Sequence, residues 1–526
     1  LNDFWGATPE PMPPPQSGVA PVNGRSHTPE PPAEPPPADH TDDPGYWEAT
    51  EGAQSLDPID ALVAEFNRKY MVVNDGGKAT LYAPAFDPIL KRRYHHRMDF
   101  ADLQKLYLNR TVRNGVDKKG EPVFSQVAQV WLRHRDRRQY IEGVIFDPSG
   151  SHDSPEVLNL WQGFAIKPKP GSWVRMKRHI YEVICRSSQE LFDYVMNWMA
   201  RLVQFPAQQG EVAIVLKGIE GTGKGIVARA LLHILGQHGL TISHAKHLTG
   251  NFNAHLRDAV FLFADEAFYA GDKAHVGVLK ALITEPTLTV EAKYENAIQA
   301  PNFLHLMMAS NDEWVVPASL DARRFLVLVV ESTYARNRTY FGAIQDELGS
   351  GGYEAMLHDL LAHDLTGFDV RDVPYTEGLD EQKKLSLGTS EAWWLDVLHR
   401  GYVYKSKLGL ERHFSEWREI ETTEVLYASY FEFAKSRNER HPMEREWFGR
   451  FVIKMGGKPS KPRNAVVGEH ITDVPSGQYG DMARRAALVE RARATGYRFG
   501  GLEVARAAFL EATGLAVEWE PEEDAT

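Results

Sequence analysis

At 526 residues the chain is too long for one ordinary hydrophobic core, so two to four domains are expected. Its 43% hydrophobic and 25% charged residues are those of a globular protein, and no apolar run reaches the length of a membrane span. A net charge of −12 argues against uniform affinity for nucleic acid but leaves room for a local basic channel, and the single cysteine, Cys185, excludes an intrachain disulfide and a cysteine-cluster zinc site.

Residues 1–55 hold 13 of the 31 prolines, nine acidic residues and one arginine, in runs such as "PEPPAEPPPADH". Such a stretch cannot bury a core, and an extended, disordered linker is expected. The first residue is Leu and not Met, so a further domain is expected upstream of this linker.

Residues 56–208 read as an accessory domain. "DPIDALVAEFNRKYMVV" offers an Asp cap and apolar residues at helical spacing. "YMVVNDGGKATLYAP" then reads as a hairpin around Asn74-Asp75-Gly76-Gly77. Two basic clusters follow, "KRRYHHRM" (91–98) and "RHRDRRQY" (133–140). Taken singly, each is a solvated helix face, since neither alone shows the aromatic interleaving of a binding groove. An amphipathic helix over 189–206 leads out of this region.

Residues 209–335 alternate strands and helices, which implies a parallel sheet. "AIVLKGIEGTGKGIVARALLHIL" is an apolar strand, a glycine-rich loop and a helix. Gly218, Ile219, Glu220, Gly221, Thr222, Gly223, Lys224, Gly225 and Ile226 form a P-loop, whose glycines let backbone N–H groups cradle a polyphosphate. Lys224 reaches the terminal phosphates. Gly225 stands where Ser or Thr ordinarily holds magnesium. "AVFLFADEAF" ends a strand in two carboxylates: Asp265 to hold Mg²⁺ and Glu266 to orient and deprotonate water. "NFLHLMMASND" ends a strand at Asn311, which either senses the γ-phosphate or serves an ordinary turn. Between them "TLTVEAKYENAIQA" reads as a hairpin with Lys293 and Tyr294 near its tip, either a plain surface hairpin or a grip for phosphate and base. Arg323 and Arg324 open the strand of "SLDARRFLVLVV", as a solvated edge or as an arginine finger for a neighbouring subunit. Residues 336–418 read as a helical extension. Residues 419–526, with short helices followed by "GGKPSKPRNAVVG", read as a winged-helix-like unit.

The order of these motifs resembles that of superfamily 3 helicases, the AAA+-type motors of viruses and phages. Phrases such as "HLTGNFNAHLRDAVFLFADEA", "LITEPTLTVEAKYENAIQAPNF" and "WQGFAIKPKPGSW" are similar to the helicase halves of phage and prophage primase-helicases. The resemblance covers roughly 57–332. It implies an α/β fold: a P-loop AAA+-type parallel-sheet motor behind an α+β or helical collar. It implies ATP and Mg²⁺ as cofactors, and a homo-oligomeric ring, usually a hexamer, that threads single-stranded DNA at a replication fork in the bacterial cytoplasm. Lys293 would then contact the DNA backbone, and the upstream domain would be a primase-polymerase. Two other classes stay open: an origin-binding initiator in which ATP only drives assembly, and a protein-remodelling ATPase.

Overall fold

The computed structural model describes residues 57–88, 92–244, 253–266, 273–291, 297–319, 322–403, 405–407, 410–412, 417–463, 465–473 and 485–519. The proline-rich stretch 1–55 lies outside them. The chain divides into two compact units, residues 1–144 with 154–158, and residues 145–153 with 159–526.

In the first unit, Asp57 Oδ1 accepts from the Ile59 amide at 2.8 Å and Pro58 opens the first turn of α1 (Pro58–Lys69). β1 (Met71–Asp75) and β2 (Lys78–Asp87) form a hairpin through Gly76 and Gly77, whose φ of 62° and 84° favour glycine. β3 (Arg92–Met98) pairs antiparallel with β2. The first basic cluster is therefore a strand and not a helix face. α2 (Phe100–Leu106), β4 (Thr111–Val116), β5 (Pro122–Gln126) and α3 (Val127–Arg133) follow. β6 (Gln139–Tyr140) then joins β1 in parallel, giving the order β3-β2-β1-β6. One sheet face puts Val72 and Leu81 against Leu62, Val63, Phe66 and Trp131 of α1 and α3.

The division falls in β7 (Gly143–Ile145) and β8 (Val157–Asn159). In the second unit, α4 (Val174–His179) passes through a π-helical turn, Ile180–Ile184, to the buried Cys185. α5 (Gln189–Gln204) is capped by Ser188 Oγ and donates Trp198 Nε1 to the Val212 carbonyl at 2.9 Å.

A five-stranded sheet follows, parallel throughout, in the order β10-β11-β14-β9-β15. Its strands are β9 (Ala213–Lys217), β10 (Gly239–Ile242), β11 (Phe261–Asp265), β14 (His305–Ser310) and β15 (Phe325–Val329). β9, β11, β14 and β15 are almost continuously apolar and buried, as a sheet covered on both faces requires. α6 (Lys224–Leu235) links β9 to β10. α7 (Lys273–Thr284) and the antiparallel pair β12 (Thr287–Val290) and β13 (Ile298–Pro301) lie between β11 and β14.

Beyond the sheet, α8 (Arg338–Glu347) and α9 (Tyr353–Leu361) precede α10 (Glu377–Leu385). α10 lies so close to β15 that a Cβ at Gly378 would fall 2.9 Å from the Val327 carbonyl. The chain continues through α11 (Thr389–Arg400), β16 (Lys405–Lys407), β17 (Leu410–Arg412), β18 (Ile420–Thr422), α12 (Thr423–Ser436) and α13 (Arg445–Lys454). β19 (Lys458–Ser460), the antiparallel pair β20 (Ala465–Asp473) and β21 (Arg485–Ala492), β22 (Gly496–Arg498) and α14 (Leu502–Thr513) complete it. β22 pairs between β18 and β19. Trp393, Trp394, Tyr430, Phe448, Phe499 and Phe509 form the core here. Among the described residues no helix is long and apolar enough to cross a membrane.

Candidate functional site

Three neighbouring strands of the parallel sheet, β11, β14 and β9, end side by side, where open α/β sheets place their ligands. The loop after β9 turns through Gly221 and Gly223, with φ of 81° and 90°. Gly223 is also needed for room: a Cβ there would lie 2.5 Å from Phe341 Cε1 and 2.7 Å from His179 Cε1. Lys224 opens α6. Its Nζ donates to the carbonyls of Gly218 and of Ile219, the latter at 2.8 Å. Burial lowers the Lys224 pKa, opposed by the charges of Glu266, Asp265 and Glu220. The buried Thr222 spends its hydroxyl inside the loop, donating to the Ile219 carbonyl at 3.0 Å.

Asp265 is the last residue of β11. Glu266 follows with φ of 53°, left-handed backbone in a non-glycine residue, fixed by its amide donating to the Ala309 carbonyl at 2.9 Å. Such a conformation costs of order 1–3 kcal/mol and is concentrated at functional sites. Asn311 follows Ser310, whose carbonyl accepts from the Gly218 amide at 3.1 Å. Since β14 runs between β11 and β9, Asn311 stands at the strand end between the carboxylate pair and the P-loop.

Arg323 and Arg324 are placed differently. They precede β15, and the Arg324 carbonyl accepts from the Ala213 amide at the start of β9. A five-residue strand spans roughly 17 Å, so they lie at the end of the sheet opposite the P-loop of their own chain. Lys293 and Tyr294 lie outside the described residues, between β12 and β13.

Four further residues gave no signal in the sequence. Arg336, at φ 61°, donates its amide to the Gly221 carbonyl at 2.9 Å, and its Nη2 lies 3.5 Å from Glu220 Oε2. His179 is fully buried. Its Nε2 lies 3.4 Å from the Gly223 carbonyl and its Nδ1 3.2 Å from the Tyr340 hydroxyl. A carbonyl can only accept, so the proton sits on Nε2 and Tyr340 donates to Nδ1. Burial lowers the His179 pKa to about 4. Gln382, on α10, accepts from the Val315 and Val316 amides at 2.7 and 3.2 Å and donates to the Glu313 carbonyl at 2.8 Å, fixing the loop that follows Asn311. Arg229 lies one turn into α6: a Cβ at Gly225 would meet its Nη1 at 2.6 Å.

Among the described residues no group of three or more His, Cys, Asp or Glu gathers to hold a metal ion. Two carboxylates at a strand end nevertheless suit a hard divalent cation that takes its remaining oxygens from phosphate and water. Gly225 has no hydroxyl to add to such a set, and the Arg229 guanidinium lies beside it.

A family of unknown function, DUF5906, matches residues 216–324, from the end of β9 to the arginine pair. The DNA primase-polymerase of Nitratiruptor phage NrS-1 is 25% identical over 333 residues, covering 56% of this chain and 45% of that protein. The chain thus spans less than half the length of this relative. The apo structure of the NrS-1 C-terminal region (305–718) superposes with a TM-score of 0.54 at 15% identity, covering 84% of this chain and 100% of that one. An A-form apo structure of the same region gives 0.53 at 16% identity, covering 77% and 96%. The chain is therefore distantly similar in sequence to a phage primase-polymerase, and in fold to the C-terminal region of that protein.

Proposed function

We propose that the chain is an ATP-dependent DNA helicase of a phage or prophage replication module, working as a ring on single-stranded DNA. The observation that carries this reading is the meeting of the P-loop, the Asp265–Glu266 pair and Asn311 at the ends of three adjacent parallel strands. The similarity to a phage primase-polymerase supports the setting in replication.

Lys224 and the loop amides bind the β- and γ-phosphates, the lysine leaving its two carbonyl partners as it does so. Glu266 orients and deprotonates the attacking water, and Asn311 senses the γ-phosphate. Asp265, with Glu266 beside it, would hold Mg²⁺, which offsets charge on the transferred phosphoryl group. Arg323 or Arg324 reaches the phosphates of a neighbouring subunit, which fits their place at the far end of their own sheet. Hexamers are the expected assembly. Lys293 and Tyr294 follow the DNA backbone. The order α11, β18, α12, α13, β19, β22, with the β20–β21 pair between the last two strands, supports a winged-helix reading of the C-terminal region.

The test is the ATPase rate with and without single-stranded DNA, beside a mass determination with ATP. Stimulation with a mass near six subunits supports the motor. Lys224→Ala should abolish ATP binding. Glu266→Gln should leave ATP bound and cut turnover by about 10²-fold or more. Normal turnover by Glu266→Gln would sink the assigned role. Origin binding without DNA-stimulated turnover would favour an initiator.

A further inference from the structure

The two arginine-rich stretches, distant in sequence, belong to one sheet of the first unit. Register pairs Phe86 with Arg93, Pro84 with His95 and Tyr82 with Arg97 across β2 and β3. It pairs Tyr82 with Met71, and Val73 with Tyr140, across β1 to β6. Side chains alternate along a strand, so Phe86, Tyr82, Arg93, His95, Arg97 and Tyr140 share the face opposite Val72 and Leu81. Arg138, two residues before Tyr140, is on that face too. The face turned away from α1 and α3 therefore carries Arg93, His95 and Arg97 of the first basic cluster and Arg138 of the second.

Its chemistry is arginine laid on rings. The Arg97 guanidinium lies 5.7 Å from the Tyr82 ring centroid, that of Arg138 lies 5.6 Å from the Tyr140 ring, and the Tyr82 and His95 rings are 5.9 Å apart. Burial, and then the charge of Arg138, depress the His95 pKa. Asp75, on the same face, is buried and tied to the Tyr82 hydroxyl at 2.6 Å and to Arg97 at 3.0 Å. Arg93 and Arg138 have no acidic partner among the described residues. Met71, Val73, Thr80 and Tyr82 are buried on this face, so it is covered over β1 and the inner part of β2. It is open along the outer part of the β2–β3 arm, where Phe86 is 58% exposed and Arg93 is exposed.

We propose that this face binds single-stranded nucleic acid, its arginines following phosphates and Phe86 offering a stacking surface for an unpaired base. Charge complementarity selects a polyanion, since Arg93, Arg97 and Arg138 share this face and Asp75 offsets Arg97 alone. The exposed ring selects the single strand, because a duplex hides the faces of its bases. The proposal rests on residues of the first unit alone and stands whether or not the ATP reading holds.

The experiment is fluorescence anisotropy on the full chain without nucleotide, using labelled oligothymidine and a duplex of equal length. Phe86→Ala with Arg93→Ala should lower oligothymidine affinity by about tenfold and reduce the salt slope by roughly one. Phe86→Trp should retain binding. Thermal melting and DNA-free ATPase activity should not move, because both positions are on the surface. Unchanged oligothymidine affinity in the double variant would overturn the proposal. So would an equal loss for duplex and single strand, which would mean electrostatic attraction without stacking. A Lys224→Ala chain separates this site from the motor: oligothymidine binding that persists there, and still falls with Phe86→Ala and Arg93→Ala, belongs to the sheet.

Discussion

The guanidinium of Arg229 occupies the ground beside Gly225: a Cβ on the glycine would come within 2.6 Å of Nη1. A side chain at position 225 would therefore move the flexible end of this arginine. Charged hydrogen bonds contribute about 1.5–3 kcal/mol, so Arg229→Ala should weaken ATP binding by about ten- to a hundredfold. Adding Gly225→Ser to that variant should recover affinity in a magnesium-dependent way. Calorimetry at two magnesium concentrations reads both effects.

The arginine pair and the P-loop lie at opposite ends of one sheet, so a chain should be unable to supply its own finger. Arg323→Ala and Lys224→Ala should each abolish ATPase activity. Mixed together they should regain part of it, since an intact loop from one meets an intact arginine from the other. Failure of every mixing ratio, with Arg324→Ala also tried, would place the arginines outside catalysis.

Gln382 is fully buried and satisfies two amides and one carbonyl in the loop after Asn311. Gln382→Leu keeps the bulk and leaves those backbone groups without their partner. The expected cost is about 2–6 kcal/mol, from the two buried amides at about 1–3 kcal/mol each, since the Glu313 carbonyl can turn to water. Turnover should fall more than ATP affinity, because the loop carries Asn311 and not Lys224. A melting curve and a KM-against-kcat comparison test this.

His179 sets an acid limit. Its pKa falls to about 4 in the folded chain from an ordinary value of 6.5, chiefly through burial. Between those values the unfolded chain binds the proton and the folded one does not, so stability falls as pH drops through that window. The loss is about 3 kcal/mol at most by pH 4. His305, lowered to about 3 by burial, deepens the same limb. His179→Gln should flatten the curve between pH 6.5 and 4 by its own share and leave the His305 share. Chemical denaturation at several pH values measures it.

The placement of the P-loop, the carboxylate pair and Asn311 at strand ends was legible because its signals are local. A glycine run after an apolar strand, or two carboxylates closing another, needs no knowledge of the rest of the chain. The basic stretches were misread for the opposite reason. "KRRYHHRM" carries no apolar alternation, because much of the β2–β3 arm is exposed on both faces, and its partner ring Tyr140 arrives from β6. His179, Arg336 and Gln382 acquire their roles only from tertiary contact. His179 meets Gly223 from an earlier helix, Arg336 returns to Gly221 from beyond β15, and Gln382 reaches back to Val315 from α10.

The single cysteine has a practical meaning. Cys185 is fully buried, and burial raises its thiol well above the ordinary range, so the native chain is nearly inert to maleimides and mild oxidants. A cysteine introduced at Arg93 or Arg323 would be the one accessible thiol. A dye attached there would report strand capture at the first position, or subunit spacing at the second, with no background labelling to subtract.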